Sequence, residues 1–179
     1  AYPTAIKLAV YFSIKDTLSA LGELQNALLA KEREFASVLK MGRTENQDAV
    51  PMTLGQEFGA YAKMIEGAMA SMRRGADELL EINMGATAIG TGINAPPGYA
   101  ELVVKKLAEV SGLQVTKAEN MVQGTQDAGG FVQMSSNMKR AAVQLSKICN
   151  DLRWMGSGPR CGLYEIRLPA MQPGSSIMP

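Results

Sequence analysis

Residues Thr53 to Ile82 read TLGQEFGAYAKMIEGAMASMRRGADELLEI, and this stretch decides the fold. Thr53 with Gln56 three residues later forms a capping-box pattern. A hydroxyl and a side-chain amide there each answer a backbone donor that a helix start leaves open. Leu54, Phe58, Tyr61, Ile65, Met69, Met72, Ala76 and Leu79 then recur at intervals of three and four. That periodicity predicts one apolar face on a helix running to about Ile82. Gly55, Gly59, Gly67 and Gly75 interrupt it, at up to ~1 kcal/mol each relative to alanine. Gly59, Gly67 and Gly75 are spaced by eight and lie on a similar face, so close approach of a neighbouring helix is the expected compensation.

Upstream, Ile6, Val10, Ile14, Leu18, Leu21, Leu24 and Leu28 predict a helix from about Pro3 to Phe35. Gly42 and a polar stretch from Arg43 to Val50 read as a loop before Pro51. Downstream, Asn83 to Gly98 is rich in Gly, Thr, Asn and Pro and reads as a long ordered loop. Tyr99 to Ser111 is a short amphipathic helix stopped by Gly112, and another helical signal starts near Ala118. A last stripe runs through Met134, Met138, Ala142, Leu145, Ile148 and Leu152, and Cys149 is assigned to the core beside it. Gly156, Gly158 and Pro159 end that helix. No convincing strand is found. The reading is an all-α, elongated bundle of long helices, with residues 1–179 as one helical-bundle domain. Helices longer than the usual ~10–14 residues leave apolar stripes that one copy cannot cover, so self-association is expected.

Composition narrows the chemistry. Net charge is +1, which favours neither a nucleic-acid partner nor an anionic membrane. No apolar stretch is long enough to span a bilayer, and a cytoplasmic location is the default expectation. The two cysteines, Cys149 and Cys161, form no CxxC motif and read as reduced thiols. Histidine is absent. Ser-His-Asp triads and histidine bases are therefore excluded within this chain, and proton transfer must use a carboxylate, Lys, Tyr, Cys or an activated hydroxyl. The glycines at 85, 90 and 92 lack the preceding strand and the GK[ST] element of a phosphate loop, so a turn-rich connection is the better reading. Asp127 and Asp151 read as solvated or helix-paired, and Tyr164 and Glu165 as structural.

Two polar stretches escape periodicity. Gly42-Arg43-Thr44-Glu45-Asn46-Gln47-Asp48-Ala49 lies between two long helices, and Gly174-Ser175-Ser176-Ile177-Met178-Pro179 closes the chain. The first, with Pro51 and Thr53-Leu54-Gly55-Gln56-Glu57, resembles the second signature block of the fumarase/aspartase superfamily. The second resembles the start of the superfamily's GSSxMPxKxN signature. Ala1-Tyr2-Pro3-Thr4-Ala5 resembles the tail of its first block, and Ser146 to Arg160 the stretch before its catalytic loop. Within the superfamily, Met84 to Gly92 and Cys161 to Pro169 are similar to the aspartase branch. Class II fumarases carry His after the Thr of the second block, where this chain has Glu45.

The resemblance implies reversible deamination of L-aspartate to fumarate and ammonia. Ser175 matches the serine whose oxyanion removes the C3 proton. Thr44 matches a hydroxyl donor to a substrate carboxylate, Ser176 the next contact on the catalytic loop, and Gln47 a positioner of the Thr44 loop. Glu45 cannot donate to a carboxylate unless protonated; it either attracts the substrate ammonium or sits out of reach. The resemblance also implies a homotetramer whose sites each draw on three subunits. It implies flanking amino- and carboxyl-terminal domains and the signature's Lys and Asn beyond the chain, so that this segment alone is inactive. No cofactor is required; some aspartases respond to divalent cations, and no ligand set for one is found here. The alternatives are a fumarate hydratase and a catalytically incomplete oligomerisation bundle.

Overall fold

The computed structural model describes residues 1–172 and 174. Three long helices form the body: α1 (Tyr2–Glu34), α2 (Leu54–Glu78) and α5 (Gly129–Met155). At 1.5 Å per residue α1 is about 50 Å long, so the bundle is elongated. α2 packs against both α1 and α5. It contributes Phe58, Tyr61, Ile65, Met69 and Met72 to a core that Ile14, Leu21 and Leu28 close from α1, and Met134, Ala141, Ile148 and Met155 close from α5. Thr53 caps α2 as expected: its side chain accepts from the Gln56 amide, and the Gln56 side chain accepts from the Thr53 amide.

The glycines of α2 show how tightly the helices meet. A Cβ on Gly55 would lie 2.5 Å from the Glu32 carbonyl oxygen and 2.9 Å from Ala36 Cα, both backbone atoms. Close backbone approach therefore holds at Gly55. Gly59, Gly67 and Gly75 instead face side chains, and not on one side. Gly59 meets Glu32 of α1, whereas Gly67 and Gly75 meet Arg140 and Asn137 of α5. Eight residues overshoot two turns by about 80°, enough to carry the row from one neighbour to the other.

A smaller lobe holds α3 (Tyr99–Ser111) over a short parallel pair, β3 (Glu81–Ile82) and β4 (Thr116–Lys117), with α4 (Met121–Gln126) following. Ile82, Val104, Leu113 and Val115 form its core. Buried Asn83 joins the lobe to α1. It accepts from the Thr4 hydroxyl at 3.1 Å and donates to Thr125 at 3.2 Å.

Three expectations need correction. The polar stretch before Pro51 is not a loop: β1 (Leu39–Thr44) and β2 (Gln47–Thr53) form an antiparallel hairpin. Cys149 is exposed rather than core, because it lies one residue, about 100° of rotation, past buried Ile148. The buried face of α5 is also rotated from the apolar stripe. It includes Asn137, 5% exposed, which donates to the Ser71 carbonyl oxygen at 3.0 Å. A polar residue satisfied in the core is invisible to an apolar pattern. Met138, half of it exposed, is correspondingly turned outward with Val132 and Val143. Among the described residues no helix is long and apolar enough to cross a membrane.

Candidate functional site

The site begins with the hairpin. Thr44 pairs with Gln47 across a two-residue turn, and both turn residues have positive φ, 49° at Glu45 and 65° at Asn46. Positive φ at both central positions is what a tight type I′ connection demands. Asparagine accepts it readily, whereas glutamate adopts it at a cost. Lower down, Ala49 and Val50 of β2 stand against the single residue Gly42 of β1, a bulge that adds twist to the ribbon. Gly42 is required there, since a Cβ would meet the Val50 carbonyl oxygen at 2.8 Å.

Thr44, Glu45 and Gln47 are thus brought together at the tip, and all three are exposed. Glu45 and Asn46 line a cleft of about 230 Å³ with Lys40, Arg43, Glu57, Lys147, Asp151 and Trp154. Ser175 and Ser176 lie outside the described residues. Gly174, just before them, is exposed with φ +92°.

Beneath the tip lies a charge array that sequence reasoning missed. Arg43 Nη2 donates to Glu165 Oε1 at 2.7 Å, and Lys40 Nζ is 3.4 Å from the other oxygen, Oε2. Lys40 also donates to Glu57. The Tyr61 hydroxyl lies 3.0 Å from Glu57 Oε1 and 2.9 Å from Asp151 Oδ2, and Asp151 in turn pairs with Lys147. Alternating charges therefore run from β1 through α2 to α5. The Arg43 guanidinium also sits 5.6 Å from the centre of the Trp154 ring, within range of a cation–π contact.

Glu165 is aimed by the turn after α5. Its amide donates to the Met155 carbonyl oxygen at 2.9 Å, and the Tyr164 amide to the Ser157 carbonyl oxygen at 2.8 Å, with Tyr164 at φ 47°. Gly162 lets the turn close, because a Cβ there would overlap the Ser157 backbone. Burial pushes the Glu165 carboxyl up, but the Arg43 hydrogen bond and the nearby Lys40 outweigh it, and its pKa is lowered. Arg43 is held above its ordinary value, chiefly by that hydrogen bond. Burial pushes the Tyr61 phenol well up, reinforced by Glu57 and Asp151, so it stays a neutral donor.

The lowered Glu165 value has a consequence for pH. A carboxylate titrating lower in the folded state stabilises it above the ordinary value of about 4.3, and that stability is lost as pH falls through the folded value. The melting temperature is expected to hold from neutral pH down to about 5 and to fall below it. A Glu165→Gln variant, melted across the same range, should show a shallower acid limb; an unchanged limb would mean that the pair contributes nothing.

Among the described residues no group of three or more His, Cys, Asp or Glu side chains could hold a metal ion. The arrangement can instead present an exposed hydroxyl, a carboxylate and an amide to a small polar ligand, above a row of ion pairs that is half-buried at Lys40, Arg43 and Glu165 and open at Lys147. The sequence profile of a family described as Lyase matches residues 1–179. The chain belongs to that lyase family.

Its relatives within the fumarase/aspartase superfamily agree. Aspartate ammonia-lyase of Pseudomonas aeruginosa is 56% identical over 180 aligned residues, which span 100% of this chain and 38% of that protein. The solved structure titled fumarate lyase:delta crystallin from Brucella melitensis, bound to cobalt, superposes with a TM-score of 0.95 at 52% identity, covering 99% of this chain and 39% of that one. Class II fumarase from Schistosoma mansoni superposes at 0.88 but only 34% identity, over 99% of this chain and 40% of that one. The chain thus spans well under half the length of the family members it matches. Its long-helix architecture is theirs.

Proposed function

We propose that this chain is the central helical domain of a carbon–nitrogen lyase that converts L-aspartate reversibly to fumarate and ammonia. The observation that carries the reading is the 56% identity to an aspartate ammonia-lyase along the whole chain. Supporting it are the two signature-like blocks around Thr44 and Ser175, one of which forms the exposed hairpin tip.

In the proposed reaction the Ser175 oxyanion takes the C3 proton, leaving the electron pair delocalised into the adjacent carboxylate as an aci-carboxylate dianion. That pair returns to form the C2–C3 double bond as the C2–N bond breaks, and its electrons leave with ammonia. A serine hydroxyl is a very weak acid, so amide donors and positive charge must stabilise its alkoxide. Thr44 donates to a substrate carboxylate, Ser176 contacts substrate beside Ser175, and Gln47 steadies the Thr44 turn. Glu45, lining the cleft beside Asn46, faces the substrate ammonium. The steps draw on side chains and backbone amides, so no cofactor is required.

Thr44, Glu45 and Gln47 are exposed here, and water-free chemistry needs them covered. A homotetramer with sites shared between subunits provides that cover, and the outward Val132, Met138 and Val143 of α5 are apolar surface suited to such contacts. The test is direct. Full-length protein given L-aspartate should release fumarate and ammonia in equal amounts, and given fumarate alone it should form no malate. Malate formation would move the assignment to a fumarate hydratase, and inertness toward both would favour the oligomerisation bundle.

A further inference from the structure

The hairpin is poorly held by apolar packing. In β2 every residue from Gln47 to Pro51 is exposed, and in β1 only Gly42 is buried. Its base is fixed by the Leu54 amide donating to the Val38 carbonyl oxygen at 2.8 Å and by the Gly55 amide donating to the Phe35 carbonyl oxygen at 3.0 Å. Above that base, the side chains gripping the ribbon are Lys40 and Arg43. Their side chains are 8% and 14% exposed, and both converge on Glu165, itself 16% exposed. Arg43 is the residue before Thr44.

Measured against an apolar replacement this carboxylate is a poor stability device, although its ionised form still stabilises the fold relative to its own protonated form. Buried ion pairs give back little beyond their desolvation cost, and among the described residues Glu165 Oε2 has no close hydrogen-bond partner, only Lys40 Nζ at 3.4 Å. What the contact does supply is geometry, because a guanidinium held at 2.7 Å fixes the strand that ends in Thr44. We infer that Glu165 is a positioning residue: through Arg43 and Lys40 it sets the pose of the hairpin tip, and so the aim of the Thr44 hydroxyl at the substrate carboxylate. The inference rests on the proposed role of Thr44.

The test is a double-variant cycle in the full-length protein, with ammonia release from L-aspartate as the readout. We take Thr44 to hold the carboxylate that does not take up the aci charge; that group is the same in substrate and transition state, so a contact to it acts on KM rather than kcat. Glu165→Gln is therefore expected to raise KM by about 10- to 100-fold with kcat changed little. Thr44→Val should raise KM as well. In the Thr44→Val background, adding Glu165→Gln should have almost no further effect, because the hydroxyl that Glu165 aims is already gone. A lowered melting temperature with wild-type KM, or effects of the two changes that multiply, would overturn the positioning role. A wild-type KM in Thr44→Val alone would sink the Thr44 assignment instead. If Glu165→Gln does not fold, Arg43→Lys tests the same contact from its other side. It should raise KM in the wild-type background and not in Thr44→Val, and a wild-type KM in Arg43→Lys would overturn the inference.

Discussion

Replacing Ser175 with alanine in the full-length protein is expected to slow ammonia release from L-aspartate by about 10²–10⁴-fold, with the oligomer intact. The size follows from the task assigned to that hydroxyl. The C3 proton of an aspartate carboxylate is barely acidic, and the dianion left behind must be met by fixed donors. Alanine removes the only group proposed to accept the proton. Histidine is absent from these 179 residues, so none of them offers an imidazole in its place. The comparison to make is kcat in stopped reactions, beside the mass of the assembly in solution. Turnover within a few-fold of wild type would transfer the base to another residue, while loss of activity together with the oligomer would reveal a structural defect.

The second large effect lies in the core. Ile65 is 0% exposed at the middle of α2, where that helix is held between α1 and α5. Ile65→Ala should destabilise the fold by about 2–5 kcal/mol. Ile65→Val, which removes a single methylene, should cost about 0.5–1.5 kcal/mol. The ratio matters more than either number. Three close helices cannot collapse around a large void, so the alanine variant should carry a cavity penalty beyond the loss of transferred surface. Urea midpoints for the pair would check this, and equal shifts for both variants would mean that the helices relax into the gap.

The main helices were legible because their signals are local. Thr53 and Gln56 announce the start of α2, and the apolar spacing that follows names seven of the eleven residues it buries, passing over only the small Gly55, Ala62, Ala68 and Gly75. Tyr99 to Ser111 and the stop at Gly112 were equally plain. The hairpin was not, and the reason is physical. Strands are read from alternation between a wet and a dry face, and β2 has hardly any dry face. Its turn also uses Glu45-Asn46 where a tight hairpin would ordinarily advertise itself with Asn-Gly or Asp-Gly.

The site divides in the same way. Thr44, Glu45 and Gln47 drew notice through a family resemblance, and the structure gathers them on one tip. The array beneath was hidden, since Arg43 meets Glu165 across 122 positions of sequence and Tyr61 meets Asp151 across 90. Asp151 reads as solvated or helix-paired, which its i,i+4 contact with Lys147 bears out, and Glu165 as structural, but neither reading reaches their long-range partners. Lys40 and Arg43, three apart on a strand, would be sent to opposite sides by simple alternation. Long side chains on a twisted ribbon bring both to one carboxylate, and composition carries no trace of that.

A hairpin tip suspended from charges, with Thr44, Glu45, Asn46 and Gln47 all exposed, is uncoupled from the packing that holds the rods together. Drift at positions 45 to 48 meets little packing constraint, so these positions can change while the rods below stay as they are. The tolerance should end abruptly at Gly42, where any added carbon collides with the opposite strand, and at Arg43, where the suspension is tied.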